Sequence, residues 1–289
     1  AQTFGSLATY AQGSARLGPS FTVLAGARLE HHTRYGGAGA PRLAVAWQAT
    51  DALMVRASAG RGFRAPSAKE LGFAFDHAAF GYRVDGNPDL APETSWGINT
   101  DAALRPRGSA VTLRASAFAT WVDNLIEVDL AGGTVGGGVA AYTYRNVGRA
   151  RTAGATAEAR WAIARWLAAD IAYTYLWTRN DAAGEPLAGR PPHTVVASLR
   201  AELPGGVSLY LRERLTTGAY LDGQQRTPAS LQLDARVTVR PGGLFELYAG
   251  LLNALGEQQD PARVGDLRSP LGRVAYAGIA GNLPWEETP

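Results

Sequence analysis

The segment LQLDARVTVR, positions 231–240, alternates Leu231, Leu233, Ala235, Val237 and Val239 with Gln232, Asp234, Arg236, Thr238 and Arg240. A side-chain period of two sends one set to an apolar face of a strand and the other to a polar face. The same alternation runs through VTLRASAFATW (Val111, Leu113, Ala115, Ala117 and Ala119 against Thr112, Arg114 and Ser116) and through ATAEARW (Ala155, Ala157, Ala159 and Trp161 against Thr156, Glu158 and Arg160). In RWLAADIAYTYLW, Leu167, Ala169, Ile171, Tyr173, Tyr175 and Trp177 share one parity, and Asp170 and Thr174 take the other. No segment sustains the i, i+3, i+4, i+7 apolar spacing of a helix for more than about one turn. The chain is therefore expected to be almost entirely β.

About 13 candidate strands are expected from this periodicity, near 2–12, 20–30, 41–50, 52–60, 93–105, 109–121, 141–162, 164–178, 192–202, 206–217, 229–240, 243–254 and 271–280. Short connections (LGPS, ATDA, RPRGS, AIAR, LPGG, RPGG) fall at every second junction. Between them lie HHTRYGGAGA, the 61–92 segment, DLAGGTVGGGVA, RNDAAGEPLAGR, GAYLDGQQR and GEQQDPARVGDLRS, all expected to be long loops. Turns at one end and loops at the other describe an antiparallel up-and-down meander, the asymmetry of outer-membrane β-barrels. A soluble sandwich with Greek-key crossovers does not keep it. The expected fold is a transmembrane β-barrel with its apolar parity toward lipid and its polar parity lining a wet lumen. Trp47, Trp121, Trp161, Trp177, Tyr173 and Tyr175 lie near strand ends, where aromatic girdles sit at headgroup level.

Composition fits a barrel. Charged residues are 18% of the chain, below the roughly 25% of average soluble domains, and 35 Gly, seven Trp and 11 Tyr suit sheet and turns. A net charge of +3 gives no stripe for a nucleic-acid partner. The absence of cysteine removes disulfides and thiolate metal sites. No apolar run is long enough for a transmembrane helix, and AQTFGSLATYAQGSARL lacks the basic and apolar regions of a signal peptide. Barrel strands pass that test, because about 9–11 alternating residues suffice to span the bilayer.

The most distinctive motif is RASAGRGFRAPSAKELGF at 56–73. Its GRGFRA core matches the G-x-G-x-x-A spacing of a dinucleotide-binding turn, but such a turn comes after a continuously apolar strand and opens a helix. Here Arg56 and Ser58 alternate into the preceding strand, and Pro66 interrupts the segment after the glycines. Ser67 and Glu70 have capping-box spacing and predict a short helical turn inside the loop. Arg61 and Arg64, with Phe63 beside them, are candidate contacts for an anionic ligand such as a carboxylate or catecholate, the alternative being pairing with acidic neighbours. Tyr82 and Arg83 are further candidates in the same loop. His31 and His32, adjacent in a strand, point to opposite faces, so no resident metal is expected. The Gly cluster at 132–138 lacks the Lys-Ser or Lys-Thr of a phosphate cradle, and no nucleophile stands beside a base. Neither an enzyme nor a cofactor is expected.

Together with GNPDLAPETSWGINTDAAL downstream, this motif resembles the TonB-dependent outer-membrane receptors. In that family an FRAP-type loop start, here Phe63, Arg64, Ala65 and Pro66, and an NPxLxPE element, here Asn87, Pro88, Leu90, Pro92 and Glu93, precede the next strand. AGARLE near position 25, YRNVGRARTAGATAE at 144–158, ELYAGLLNAL at 246–255 and the terminal PLGRVAYAGI support the resemblance. It implies that residues 1–280 form part of a barrel of about 22 strands, with the plug domain absent and 281–289 a C-terminal tail carrying Trp285. The odd strand count implies at least one strand missing on the N-terminal side. The resemblance further implies an energy-coupled receptor in the outer membrane of a Gram-negative bacterium, taking up a scarce small-molecule ligand such as a ferric siderophore or cobalamin. Its partners would be outer-membrane lipid and the TonB complex acting through a plug. Arg61, Phe63, Arg64, Tyr82 and Arg83 would then touch ligand or plug, and any metal would arrive inside a chelate. A passive porin-like or structural barrel is the alternative.

Overall fold

The structure, a computed structural model, describes residues 4–77, 82–129, 134–135, 139–221, 225–243, 245–260, 268 and 271–281. Thirteen long strands pair in chain order into one antiparallel sheet. They are β1 (Ser6–Leu17), β2 (Phe21–His32), β3 (Gly36–Gln48), β4 (Leu53–Arg64), β7 (Glu93–Leu104), β8 (Val111–Asp129), β10 (Val139–Ala164), β11 (Leu167–Asn180), β12 (His193–Leu203), β13 (Val207–Thr216), β14 (Ser230–Val239), β15 (Phe245–Leu252) and β16 (Val274–Gly281). Three short strands, β5 (Ala74–His77), β6 (Tyr82–Asp85) and β9 (Thr134–Val135), and one short helix, α1 (Ala68–Gly72), decorate the loop end. β1 and β16 stand at the two edges, and among the described residues the sheet does not close. No described helix is long and apolar enough to cross a membrane.

Register confirms the alternation strand by strand. Leu211, Leu199, Ala169 and Trp161 are successive cross-strand partners on one face. Their chain neighbours Arg212, Ser198, Asp170 and Arg160 form the parallel row on the other. Large apolar side chains of the first face, among them Leu43, Trp96, Ile98, Ile171, Leu211 and Ile279, are exposed. So continuous an apolar surface is unfavourable in water and matches a hydrocarbon layer. The polar face carries cross-strand ion pairs such as Arg56–Asp101 at 2.9 Å and Arg236–Glu246 at 2.7 Å. The first face is outward, the second lines the lumen. Phe21 and Trp47 stack at 5.8 Å near the turn end of the outer face, and Trp96, Trp121 and Trp177 lie on it toward the loops.

One expected long loop is instead a tight turn. β2 and β3 stay paired from Phe21–Trp47 up to His32–Gly36, leaving only Thr33–Tyr35 between them. Gly36 takes a positive φ of 73° that L side chains rarely adopt. The glycines that suggested a loop are strand residues, and the Leu29 side chain packs over Gly39. β8 likewise continues past its expected end at 121, pairing with β10 from Val111–Trp161 to Asp129–Thr143. They form a tall hairpin on the loop side. Much of the Gly cluster at 132–138 and all of the tail from 282, with Trp285, lie outside the described residues.

Candidate functional site

The 65–92 segment between β4 and β7 folds as an arm against the lumen face of the tall hairpin. Its root is a clasp. Arg64, the last residue of β4, faces Glu93, the first of β7, and binds it through two hydrogen bonds of 2.6 and 2.7 Å, with Glu70 of α1 at 3.0 Å on the remaining guanidinium nitrogen. The fork geometry of arginine suits two carboxylates at once. Glu93 also accepts the Ile126 backbone N–H at 2.7 Å, tying the clasp to β8.

α1 is only five residues long, so its ends need support. Ser67 accepts the Glu70 N–H and Glu70 accepts the Ser67 N–H, the reciprocal capping box predicted from spacing. Partial burial pushes the Glu70 carboxyl up, but hydrogen bonds from Ser67 and Arg64 outweigh it and hold the group below the ordinary glutamate range. The helix points Leu71 inward, where Leu71, Leu90 and Ile126 form a buried cluster with Phe4 and Tyr144 against it.

The NPDLAPE stretch straps the arm down. The Asn87 side-chain amide donates to the Tyr144 carbonyl at 2.8 Å, while its oxygen accepts from the Asp89 N–H at 2.9 Å, an Asx turn. Ala91 exchanges two backbone-to-side-chain bonds with Asn146, of 2.8 and 3.0 Å. From the β2–β3 turn, Tyr35 donates to the Leu90 carbonyl at 3.0 Å and Arg34 to the Pro88 carbonyl. Burial raises the Tyr35 hydroxyl above its ordinary range, so it stays a donor. Pro66 and Leu90 are buried; Ala65, Asn87 and Pro92 are half-buried and Pro88 is exposed. At the tip, β6 pairs in parallel with β10 from Tyr82–Ala140 to Asp85–Thr143, adding a strand to the tall hairpin.

The predicted contact residues do not form one cluster. Arg61 and Phe63 face outward, opposite Trp96 and Thr94, whereas Arg64 faces inward. Three positions along a strand reverse the face, so Arg61 and Arg64 cannot grip one ligand, and Arg64 is committed to Glu70 and Glu93. Arg83 pairs with Asp85 at 2.6 Å, and of Tyr82 only the backbone is described. His32 is buried, its Nδ1 accepting the Arg34 N–H at 3.2 Å, while His31 is exposed on the other face. No group of three or more metal-binding side chains gathers among the described residues. Arg34, Tyr35 and Asn146 escaped the sequence reading, although HHTRYGG and YRNVGR contain them. The arm and hairpin together make a preorganised wall at the loop end of the lumen.

Comparison with known proteins is consistent with that geometry. Residues 1–254 match the family model for the TonB dependent receptor-like β-barrel. The Iron-regulated outer membrane virulence protein of Vibrio cholerae is 31% identical over 279 residues, covering 91% of this chain and 42% of that protein. Among solved structures, the ferric enterobactin receptor of Pseudomonas aeruginosa matches with a TM-score of 0.75 at 20% identity, over 95% of this chain and 44% of the other. The copper transporter OprC matches at 0.77 and 15%, over 96% and 47%. The chain thus spans less than half the length of these relatives, and the structural likenesses bear on fold alone.

Proposed function

Because the chain belongs to the TonB-dependent receptor family, as the match over residues 1–254 establishes, we propose that it serves energy-coupled uptake of a scarce ligand across the outer membrane. A ferric siderophore or cobalamin is the expected cargo class. The observation that carries this is the arm itself. Capture of a dilute ligand benefits from a surface that does not have to be ordered on binding. The relative named as an iron-regulated outer membrane protein points the same way. A plug held in the lumen and moved by the TonB complex would open the route. In this reading Arg64 positions the arm, Arg83 presents a polar group to the ligand, and Arg61 takes no part in capture.

The test is accumulation assays in a Gram-negative strain stripped of its own receptors and supplied with the full-length gene. Radioactive iron delivered as a ferric catecholate or ferric hydroxamate, and labelled cobalamin, are offered separately. Saturable accumulation of one of them, abolished by a proton ionophore, is expected. Ionophore-insensitive passage of all three alike would establish the porin-like alternative instead.

A further inference from the structure

The outward face is uncharged through the depth of its apolar band, with one exception. On the thirteen long strands, every described outward position within seven residues of the turn end is uncharged except Glu213 of β13. Register sets Glu213 between Ala197 and Leu233, in line with the outward Leu211 and Leu215. Its depth follows from counting along the strands. Phe21 and Trp47 stand at the turn ends of β2 and β3, whereas Trp96, Trp121 and Trp177 lie eight, ten and ten residues from the turn ends of β7, β8 and β11. Glu213 is six residues from Val207. It therefore sits between the two aromatic girdles, in the hydrocarbon layer.

A carboxylate at that depth is unfavourable without a polar partner. Arg212 and Arg214 point to the opposite, lumen face. The outward ring of His193 lies four residues loopward of Ala197 on β12 and is held by the Tyr173 hydroxyl at 2.8 Å. Among the described residues Glu213 makes no hydrogen bond or ion pair. The surface around it is corrugated. Leu199 and Leu211, cross-strand partners, form a ridge that borders a recess on either side. One recess, of about 480 Å³, runs over Ala169 and Ala197 toward Trp161 and has Glu213 in its wall. The other, of about 530 Å³, runs over Ala235 and Ala249 toward Leu251.

We infer that this face, centred on Glu213, binds a second copy of this chain about a two-fold axis along the membrane normal. Two copies enter the membrane in the same orientation, so the axis of an isologous pair runs along the normal, and a residue beside that axis meets its own counterpart at the same depth. The second copy thus offers Glu213 a carboxyl group in the hydrocarbon with no further coincidence, and the two carboxyls hydrogen-bond each other. An unrelated protein would need both a polar group at that depth and a matching relief. The relief here is self-complementary: a half-turn lays the leucine ridge of each copy into a recess of the other. Strands β11–β15 span about 24 Å at about 4.8 Å spacing. With an apolar band about 25 Å tall, the face measures about 600 Å² in projection, comparable to the roughly 800 Å² each partner gives to a standard interface. Pairing depends only on which face meets lipid and not on the cargo.

The experiment uses the full-length protein, made cysteine-free and reconstituted in dilute liposomes, with energy transfer between donor- and acceptor-labelled copies as the readout. The native protein should associate. Glu213→Leu, which suits hydrocarbon better and so does not threaten insertion, should weaken association about 5- to 30-fold, the scale of polar pairing between membrane segments. Glu213→Gln, which keeps a hydrogen-bonding side chain, should retain most of it. A short bis-maleimide should join copies carrying Ala197→Cys and leave copies carrying Ile98→Cys, on β7, unjoined. Monomeric native protein, undiminished association of Glu213→Leu, or joining through Ile98→Cys instead would each overturn the assignment. So would monomers in liposomes together with cross-links from Ala197→Cys to a different polypeptide in native membranes, which would give the face to another partner.

Discussion

Arg64 shows how a motif residue changes meaning once its face is known. A guanidinium at a barrel mouth is a natural candidate for an anionic ligand, but here its nitrogens go to Glu93 and Glu70. Glu70 is the member whose titration reports on the clasp. Its pKa is lower folded than unfolded, so it contributes stability above the ordinary value of 4.5 and loses that contribution as pH falls through the lower folded value. In a carbon-13 titration of the Glu70 carboxyl, the midpoint should lie below 4.5 in the native chain. It should move back up in Arg64→Ala, while the Ser67 bonds keep it from returning fully. The clasp is partly exposed, so the same variant should loosen the arm by only about 1 kcal/mol. A midpoint unmoved by Arg64→Ala would mean that the capping box alone holds Glu70.

Among the elements, the straps of the arm depend on Asn146 more than on any other single side chain, since it satisfies both polar groups of Ala91 and also donates to the Asn124 carbonyl at 2.8 Å. Asn146→Ala strands those groups half-buried, at a local cost of about 1–3 kcal/mol. Limited proteolysis should then cleave within 65–92 at least several times faster while the strands stay intact; an unchanged rate would show that the Leu71–Leu90–Ile126 cluster suffices. The long strands were readable in advance because period two and turn residues are local signals. β8 runs on past its membrane-length pattern because pairing with β10 supports it, and no local signal encodes that. At the β2–β3 junction, His and Gly content mimicked a loop where the neighbouring strand held the backbone extended. The split between Arg61 and Arg64 was hidden, because the strand was expected to end at 60 and it is pairing with β7 that carries β4 on to Arg64. The strap partners were hidden too, because Asn87 and Tyr144 are 57 positions apart. A third device pairs small with large: the Tyr276 ring lies over Gly250 and the Tyr248 ring over Gly278 on β15 and β16, with Arg236 stacked 4.3 Å above Tyr248. Aromatic cover of cross-strand glycines keeps that edge hairpin in register.

At the scale of the whole molecule, everything rests on which face meets lipid. A globular protein hides its apolar residues from solvent, while this sheet exposes them along its outward face and gathers Leu71, Leu90 and Ile126 into a small cluster at the mouth. Neighbouring residues of one strand should therefore respond oppositely to the same substitution. Ile171 faces outward between Ala159 and Ala197, and Ala172 faces inward between Glu158 and Val196. Ile171→Arg places a guanidinium in hydrocarbon and should cost about 2–4 kcal/mol if it lies near the midplane. Ala172→Arg points into the lumen beside Glu158, where water and a carboxylate are at hand, and should cost less than about 1 kcal/mol. Denaturant unfolding from liposomes, followed by tryptophan fluorescence, compares the two directly. If the inward variant proved the more damaging, the faces would be reversed, and the lumen, the arm and the Glu213 face would all have to be reassigned together.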